Sequence, residues 1–580
     1  MASKSYLVGE KFGELLTTLG LIEKDELGRA LAIQDNTGKH LDTILIENEM
    51  VKEEALLKTV SESLGIECVD VAKLQIPDNA LDLIPIKLVH KYNILPYAKE
   101  DDVIKIITAD PINYQALDDL QLMTKCPIEP VLGLSHDITS CIKNYYGIGA
   151  DTVDSMNAEN LNEGLEVIGD EREDIGDVSE DASVIRFVNQ IIMEAISDRA
   201  TDIHIEPFED ELRIRYRIDG ILYEAAIPPT IKHYQEAVIS RVKIMSDMNI
   251  AEKRLPQDGR IDIRAGGNEY DFRVSTVPTP FGESISIRIL NRTSTIYKLD
   301  ELGMDNHTYE RFSKMLDKPH GIILVTGPTG SGKTTTLYAS LAKLNRVDVK
   351  IITIEEPIEY RMKGITQIQV MPKIGLTFAS ILRSLLRQDP DIMLVGETRD
   401  YETAEITIRT ALTGHLVFST LHTNDAAGAV ARMLDMGVEP FLVASSVIGI
   451  MAQRLVRKIC PQCKEVYKPQ PETLLALGLQ PEVADRVTMY HGRGCEACKF
   501  LGYKGRVGIY EIFPISESIR NLTMERKSAS LIKERALKEG MKTLRQDGWI
   551  KVKKGVTTIE EVLRVTQEDA LESTELLDLV

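Results

Sequence analysis

Positive charge is scarce in this chain. Its 580 residues hold 68 Lys and Arg against 89 Asp and Glu, a net charge of −21 at pH 7. Nucleic-acid motors and repressors hold phosphate backbones through a broad positive field, which this balance does not supply, so no nucleic-acid partner is expected. A run of about 18 apolar residues, enough to cross a bilayer, is also missing. The longest apolar run, residues 440–452, carries Ser445, Ser446 and Gly449. The opening residues, MASKSYLVGEKFGE, lack the apolar stretch of a signal peptide, and a cytoplasmic location is the expectation. Seven cysteines over this length are too few for a disulfide framework.

What is present is a globular balance, 43% hydrophobic and 27% charged, over a length that suggests three or four domains. The acid excess is local. Residues 151–183 hold twelve acids and one base, a net −11, and residues 557–580 hold seven acids and one base, a net −6. The other 523 residues carry only −4.

Residues 1–150 predict a helical and mixed domain. Leu15, Leu16, Leu19, Ile22, Leu27 and Leu31 recur at helical spacing. KFGELLTTLGLI from Lys11 is echoed 29 residues later by HLDTILIENEMV from His40, a duplicated helical unit. Residues 151–183, with Gly164, Gly169 and Gly176 and no aromatic residue, predict an extended acidic linker. Residues 184–300 predict an α+β domain: helical SVIRFVNQIIMEAI, then alternating strand patterns with Asp219-Gly220 as a hairpin turn. Residues 301–580 alternate strand and helix patterns, as an α/β core does.

The strongest motif is Gly327, Pro328, Thr329, Gly330, Ser331, Gly332, Lys333 and Thr334, followed by Thr335. It matches the phosphate-binding loop at every position, between the strand-like run Ile322 to Val325 and the helical TTLYASLAKL. Glycines let backbone N–H groups wrap phosphate oxygens, Lys333 should reach the β- and γ-phosphates, and Thr334 should hold Mg²⁺. Hydrolysis also needs acids for metal and water. IMLVGETRD ends a buried run in Glu397, and ITIEEPIEY offers Glu355, Glu356 and Glu359 at another strand end, where α/β ligands sit. His415 and His422 flank the run Leu416 to Phe418, and either is a candidate sensor of the γ-phosphate.

Cys460 and Cys463 form one C-x-x-C pair, Cys495 and Cys498 another, 31 residues apart. In a reducing compartment the four predict a closed, structural zinc site. Arg213, Arg215, Arg217, Arg254, Arg260, Arg264, Arg273 and Arg288 form a softer set, either paired on strand faces or able to reach phosphate across a subunit boundary.

Together GPTGSGKTTT, TIEEPIEY, LRQDPDIMLVGETRD and TGHLVFSTLHTND resemble the GspE/PilB group of secretion and pilus-assembly ATPases, with ATDIHIEP, EKRLPQDGRI and AQRLVRKICPQC in support. The resemblance covers about residues 183–568. It implies an α/β fold: a RecA-like P-loop core in 301–580 with a small zinc subdomain at 458–505, a preceding PAS-like α+β domain in 184–300, and a helical N-terminal domain. It implies a cytoplasmic homohexamer that hydrolyses ATP with Mg²⁺ to assemble pilin-like filaments. The implied partners are an inner-membrane platform protein and a membrane-anchored docking protein, which would hold the ring at the inner membrane.

Carried over by motif, Lys333 and Thr334 match the nucleotide loop, Glu359 the water-activating glutamate, and Glu397 the second acidic motif. His415 and His422 match the histidine box, and Arg273 and Arg288 match positions thought to approach nucleotide. Arg454 follows the histidine box, and Glu356 stands where the family usually has Asp. ARMLDMGVEPFLVASSVIGIMAQRLVR looks more like the type II secretion branch; a type IV pilus extension motor is the alternative, and a nucleic-acid-translocating motor a distant one. The N-terminal repeat resembles the MshEN-like domain that binds cyclic di-GMP in some relatives. That pattern opens with Arg-Leu-Gly, whereas the copies here open Lys11-Phe12-Gly13 and His40-Leu41-Asp42 and end at Gln34 and Ser63. Without the arginine forks, docking to a partner is the expected role.

Overall fold

A computed structural model describes Gly13, residues 16–146 apart from short gaps, and residues 166–167, 180–292, 297–468 and 488–566. The chain forms two compact units, Met1–Asn291 and Arg292–Val580.

The first unit opens with helices Lys24–Thr37, Leu41–Glu47 and Glu53–Leu64, which close a small core around Leu16, Ile44, Leu45 and Val60. Lys11, Phe12 and His40 of the repeat lie outside the described residues. A three-stranded sheet follows: β1 (Ile94–Glu100) runs antiparallel to β2 (Val103–Thr108), which runs parallel to β3 (Ile128–Leu132). The parallel step is made by helix Tyr114–Thr124, where Asn113 caps the N–H of Ala116 at 3.2 Å.

A second sheet in this unit has seven strands: β4 (Glu166–Val167), β5 (Ala200–Pro207), β6 (Leu212–Ile218), β7 (Ile221–Glu224), β8 (Gln257–Ala265), β9 (Asn268–Thr279) and β10 (Gly282–Asn291). Their order is β4-β8-β9-β10-β5-β6-β7. Asp219 and Gly220 both take positive φ between β6 and β7, the backbone a two-residue hairpin turn requires. One face packs on helix Glu180–Ser197 through Phe187, Ile191, Ile203, Ile214 and Phe272. Two parts of the acidic stretch are structured. Glu166–Val167 pairs antiparallel with β8, and the helix starts at Glu180, so residues 180–183 belong to it.

The second unit holds another seven-stranded sheet: β11 (Gly321–Thr326), β12 (Ile351–Glu355), β13 (Thr366–Gln369), β14 (Ile392–Val395), β15 (Leu416–Leu421), β16 (Val447–Ile459) and β19 (Tyr503–Pro514), in the order β13-β12-β14-β15-β11-β16-β19. All neighbours are parallel except the last pair. β11, β12, β14 and β15 are buried at every residue, as parallel strands covered by helices on both faces must be. This is the expected α/β core. β17 (Lys464–Tyr467) and β18 (Met489–Gly492) form a separate antiparallel pair. Among the described residues no helix is long and apolar enough to cross a membrane.

Candidate active site

β11 ends at Thr326, and the chain turns through residues 327–332 into helix Lys333–Leu344. Gly327 sits at φ +149°, where a Cβ would lie 2.5 Å from the Gln453 carbonyl oxygen and 2.7 Å from the Ser331 hydroxyl. Gly332, at φ +88°, caps the helix, and a Cβ there would meet Gln453 Nε2 at 2.8 Å. Only glycine fits either place. A glycine cap gives no side chain to the first N–H groups of the helix, which leaves them for an anion at the positive end of the dipole. Lys333 folds back over the loop, and its Nζ donates to the carbonyls of Gly327 at 2.7 Å and Pro328 at 3.0 Å. Burial lowers the Lys333 pKa to about 8; Glu397 opposes that shift and Arg454 adds to it. Thr334 is exposed and Thr335 half-buried at the start of the same helix.

Other strands deliver side chains to the same end of the sheet. Beyond β14, Glu397 is largely buried, with Arg399 Nη2 at 2.5 Å and His422 Nε2 at 3.6 Å. His422 follows the last residue of β15. Burial lowers its pKa, Lys333 acts in the same direction and Glu397 opposes, which keeps the ring neutral near pH 7. The exits of β15 and β11 are tied together, since the Thr423 N–H donates to Thr326 Oγ1 at 2.9 Å. Beyond β12, Glu356 is exposed and Glu359 half-buried, while Glu355 is buried and turned into the protein. On β16, Arg454 donates to the carbonyls of Gln453 at 3.0 Å and Asn424 at 2.8 Å, beside the glycine loop. These groups stand where the carboxyl ends of parallel strands bind ligands. They suit a polyphosphate: a cationic loop, and carboxylates for metal and water.

A sequence model of the family described as type II/IV secretion system protein matches residues 177–564. The chain belongs to this family. A second model, the MshEN domain, matches residues 64–152, downstream of the two repeated helical copies. The type IV pilus assembly ATPase PilB of Myxococcus xanthus (strain DK1622) is 41% identical over 564 residues, 96% of this chain and 99% of that one. The type II secretion system protein E of Xanthomonas campestris pv. campestris is 44% identical over 554 residues, 94% of this chain and 96% of that one. The type II secretion system protein E of Dickeya dadantii (strain 3937) is 49% identical over 397 residues, 68% of this chain and 78% of that one. The chain is thus an ATPase of the secretion and pilus-assembly kind.

In this secretion ATPase one expected residue lies elsewhere. His415 precedes β15, whereas His422 follows it. His415 Nδ1 meets the Thr410 carbonyl at 2.9 Å and Thr413 Oγ1 at 3.1 Å, at the C-terminal end of helix Tyr401–Leu412. The six residues of β15 lie between the two histidines. At about 3.3 Å per residue they hold the histidines roughly 20 Å apart along the strand. His415 therefore serves the opposite end of the sheet.

Seven of the eight arginines singled out in the sequence lie on the seven-stranded sheet of the first unit, and Arg254 lies in the loop before β8. Arg260, Arg273, Arg288, Asp202 and Arg217 face one another in a row across five strands. Asp202 receives Arg288 Nε at 3.2 Å and Arg217 Nε at 3.6 Å, and Arg260 grips Asp271 with two bonds of 2.5 and 2.6 Å. Arg215 grips Glu206 the same way, and Arg213, Arg254 and Arg264 pair with Glu211, Glu252 and Glu269. Arg260 and Arg288 still expose 57% and 55% of their side chains.

The four cysteines meet. Cys460 and Cys463 follow β16, Cys495 and Cys498 follow β18, and all four sulfurs lie within 4.8 Å of one another. Three of the Sγ–Sγ distances are 3.8 Å. Ligands about 2.3 Å from a tetrahedral centre stand roughly 3.8 Å apart, so the cage fits a tetrahedral cation such as zinc. The Cys495 and Gly502 N–H groups donate to Cys498 Sγ at 3.2 and 3.3 Å. Burial pushes the Cys463 thiol up to about 12, so a thiolate there needs a cation beside it. Sequence reasoning did not single out Arg399 on Glu397; its place two residues further along the same motif was the available signal.

Proposed function

We propose that this ATPase is the motor of a type II secretion system, driving assembly of pilin-like filaments as a homohexamer. The observation that carries the reading is the meeting of Lys333, Glu397 and His422 at one end of the parallel sheet, with Glu359 on the adjoining loop. ATP lies along residues 327–335, with Lys333 leaving its loop carbonyls for the β- and γ-phosphates. Mg²⁺, when bound, neutralises phosphate charge and is held through Thr334 and the Glu397 side. Glu359 takes the proton of the attacking water, neutral His422 reports the γ-phosphate to Glu397, and Arg273 and Arg288 close on the nucleotide from a neighbouring subunit. Release of that closure after hydrolysis is the power stroke.

Cys460, Cys463, Cys495 and Cys498 hold a structural zinc ion. The partners are an inner-membrane platform protein and a membrane-anchored docking protein, which place a cytoplasmic ring against the inner membrane. The N-terminal unit docks rather than binding cyclic di-GMP. Asp42, in the third position of the second copy, is buried and accepts the Ser135 N–H at 2.9 Å, a structural task. A type IV pilus extension motor is the second reading, favoured by the nearly full-length likeness to the PilB protein of Myxococcus xanthus.

The test is phosphate release by the full chain. Lys333→Ala and Glu397→Ala should fold and assemble as hexamers, by light scattering, without turning over; normal turnover in both overturns the reading. Co-purification with the platform protein of one system or the other decides between secretion and pilus assembly.

A further inference from the structure

Tyr338 stands on the second turn of the helix that begins at Lys333, and it is 2% exposed. Its hydroxyl donates to Glu355 Oε2. Glu355, 3% exposed, also accepts from Thr353 Oγ1 at 2.6 Å and Gln367 Nε2 at 3.2 Å. Gln367 holds the far side of the same loop: its Nε2 donates to the Tyr360 carbonyl at 2.9 Å, and its Oε1 accepts the Met362 N–H at 2.7 Å. The Tyr338 and Tyr360 rings meet edge to face at 6.0 Å.

We propose that Tyr338 is a positioning residue for hydrolysis: its hydroxyl on Glu355, linked through Gln367 to the Tyr360 carbonyl and the Met362 N–H, and its ring against Tyr360 hold the loop that carries Glu359 relative to the helix that begins at Lys333. The inference rests on reading Glu359 as the group that activates water. The helix that begins at the phosphates then also sets the reach of the base. Lys333 binds its N-terminal turn to the γ-phosphate, and Tyr338, five residues on, anchors the loop from which Glu359 extends, through its ring on Tyr360 and through its hydroxyl on Glu355, which Gln367 ties to the loop. Glu355 belongs to this anchor and not to the ligand face. That accounts for a carboxylate at the end of β12 being buried among the neutral donors Tyr338, Thr353 and Gln367. Replacing the phenol by a phenyl ring leaves the buried Glu355 carboxylate without one of its donors, and Glu355 and the Gln367 side chain that ties it to the loop must shift to find another. A misplacement of about 1 Å in a catalytic group can cost on the order of 10²-fold in rate.

The test is Tyr338→Phe in the full chain, with kcat, KM, the Kd for ADP and the Tm measured together. The expected result is a kcat lowered about 10- to 100-fold, with KM and the ADP Kd within roughly threefold of the parent. Glu355→Gln should lower kcat in the same way, and the double variant should be no worse than the poorer single one. In a Glu359→Gln background, Tyr338→Phe should cost nothing further. An unchanged kcat in Tyr338→Phe overturns the proposal. So does an undiminished effect in the Glu359→Gln background, because the tyrosine would then act on something other than Glu359. Loss of nucleotide binding together with a fallen Tm in both single variants also overturns it, by making the network a purely structural one. Normal turnover of Glu359→Gln alone overturns the underlying reading of the base, a result distinct from any of these.

Discussion

Both large sheets have seven strands, yet they carry their charged residues in different places. The antiparallel seven-stranded sheet of the first unit sets a row of arginines across one face, steadied by Asp202 and Asp271. The central strands of the parallel sheet in the second unit are buried on both faces, and its candidate groups stand beyond strand ends or, for Arg454, on β16 beside the glycine loop. Topology explains the difference. An antiparallel sheet can leave one face to water, so a face is free to bear charge, whereas parallel strands under helices can offer only their ends. The first arrangement tolerates the loss of one member, because its acids and bases compensate along the row. The second does not.

The largest effects should therefore fall at the strand ends. Lys333→Ala and Glu397→Gln each should lower turnover by about 10²–10⁴-fold with little change in Tm, measured by phosphate release and thermal melting. Arg288→Ala is the challenge to the comparison. Its partner Asp202 keeps Arg217, so stability should change by less than about 1 kcal/mol. Turnover should still fall, by up to about 10³-fold, the lower end of the arginine-finger range. On the proposed reading the arginine serves a neighbour's nucleotide, so mixing Arg288→Ala with Lys333→Ala protomers should recover part of the activity. No recovery means the row belongs to the sheet alone.

How far these two arrangements could be read in the sequence follows from what each depends on. The nucleotide loop was legible because its glycines, Lys333 and Thr334 are adjacent and their backbone needs no distant partner. The cysteine cage was legible because each C-x-x-C pair supplies half a tetrahedron, whatever the length between them. Strand alternation showed that the arginines lie on faces, but register decides which acid each one meets, and Arg260 with Asp271 spans two strands. Direction was also hidden. ITIEEPIEY placed three glutamates at a strand end, but only the fold buries Glu355, half-buries Glu359 and exposes Glu356. The helix start at Glu180 is hidden in the sequence because residues 180–183 continue the acidic composition before them, and the apolar helical pattern becomes visible only from Val184.

The cage gives a smaller effect than the strand ends. Each chain should release one zinc ion to a strong chelator, counted by a colorimetric dye, and Tm should fall by several degrees, about 1–3 kcal/mol. Release of no zinc refutes the site. Smaller again is a pH dependence of nucleotide binding. Burial holds the Lys333 pKa near 8, and phosphate beside it must raise that value, so the bound state holds more protons. By linkage, affinity for ADP should weaken as pH rises through about 8, and Lys333→Arg, which stays charged, should flatten the curve. A wild-type curve as flat as the variant's would show that Lys333 is charged throughout.

The smallest expected effect tests the geometry most directly. His415 and His422 bound the same strand, seven residues apart in sequence, and only the direction of β15 separates their surroundings. His422 stands 3.6 Å from Glu397 and within the influence of Lys333, so His422→Ala should lower kcat about tenfold or more, in the range of lost proton-handling or orienting groups. His415 bonds to Thr410 and Thr413 at the end of a helix. His415→Ala removes one such bond and should cost about 0.5–1.5 kcal/mol of stability, with kcat within roughly twofold of the parent. Equal loss of turnover in the two variants would mean that the opposite end of the sheet also meets nucleotide in the assembled ring, and the contrast between strand ends would then need a second subunit to explain it.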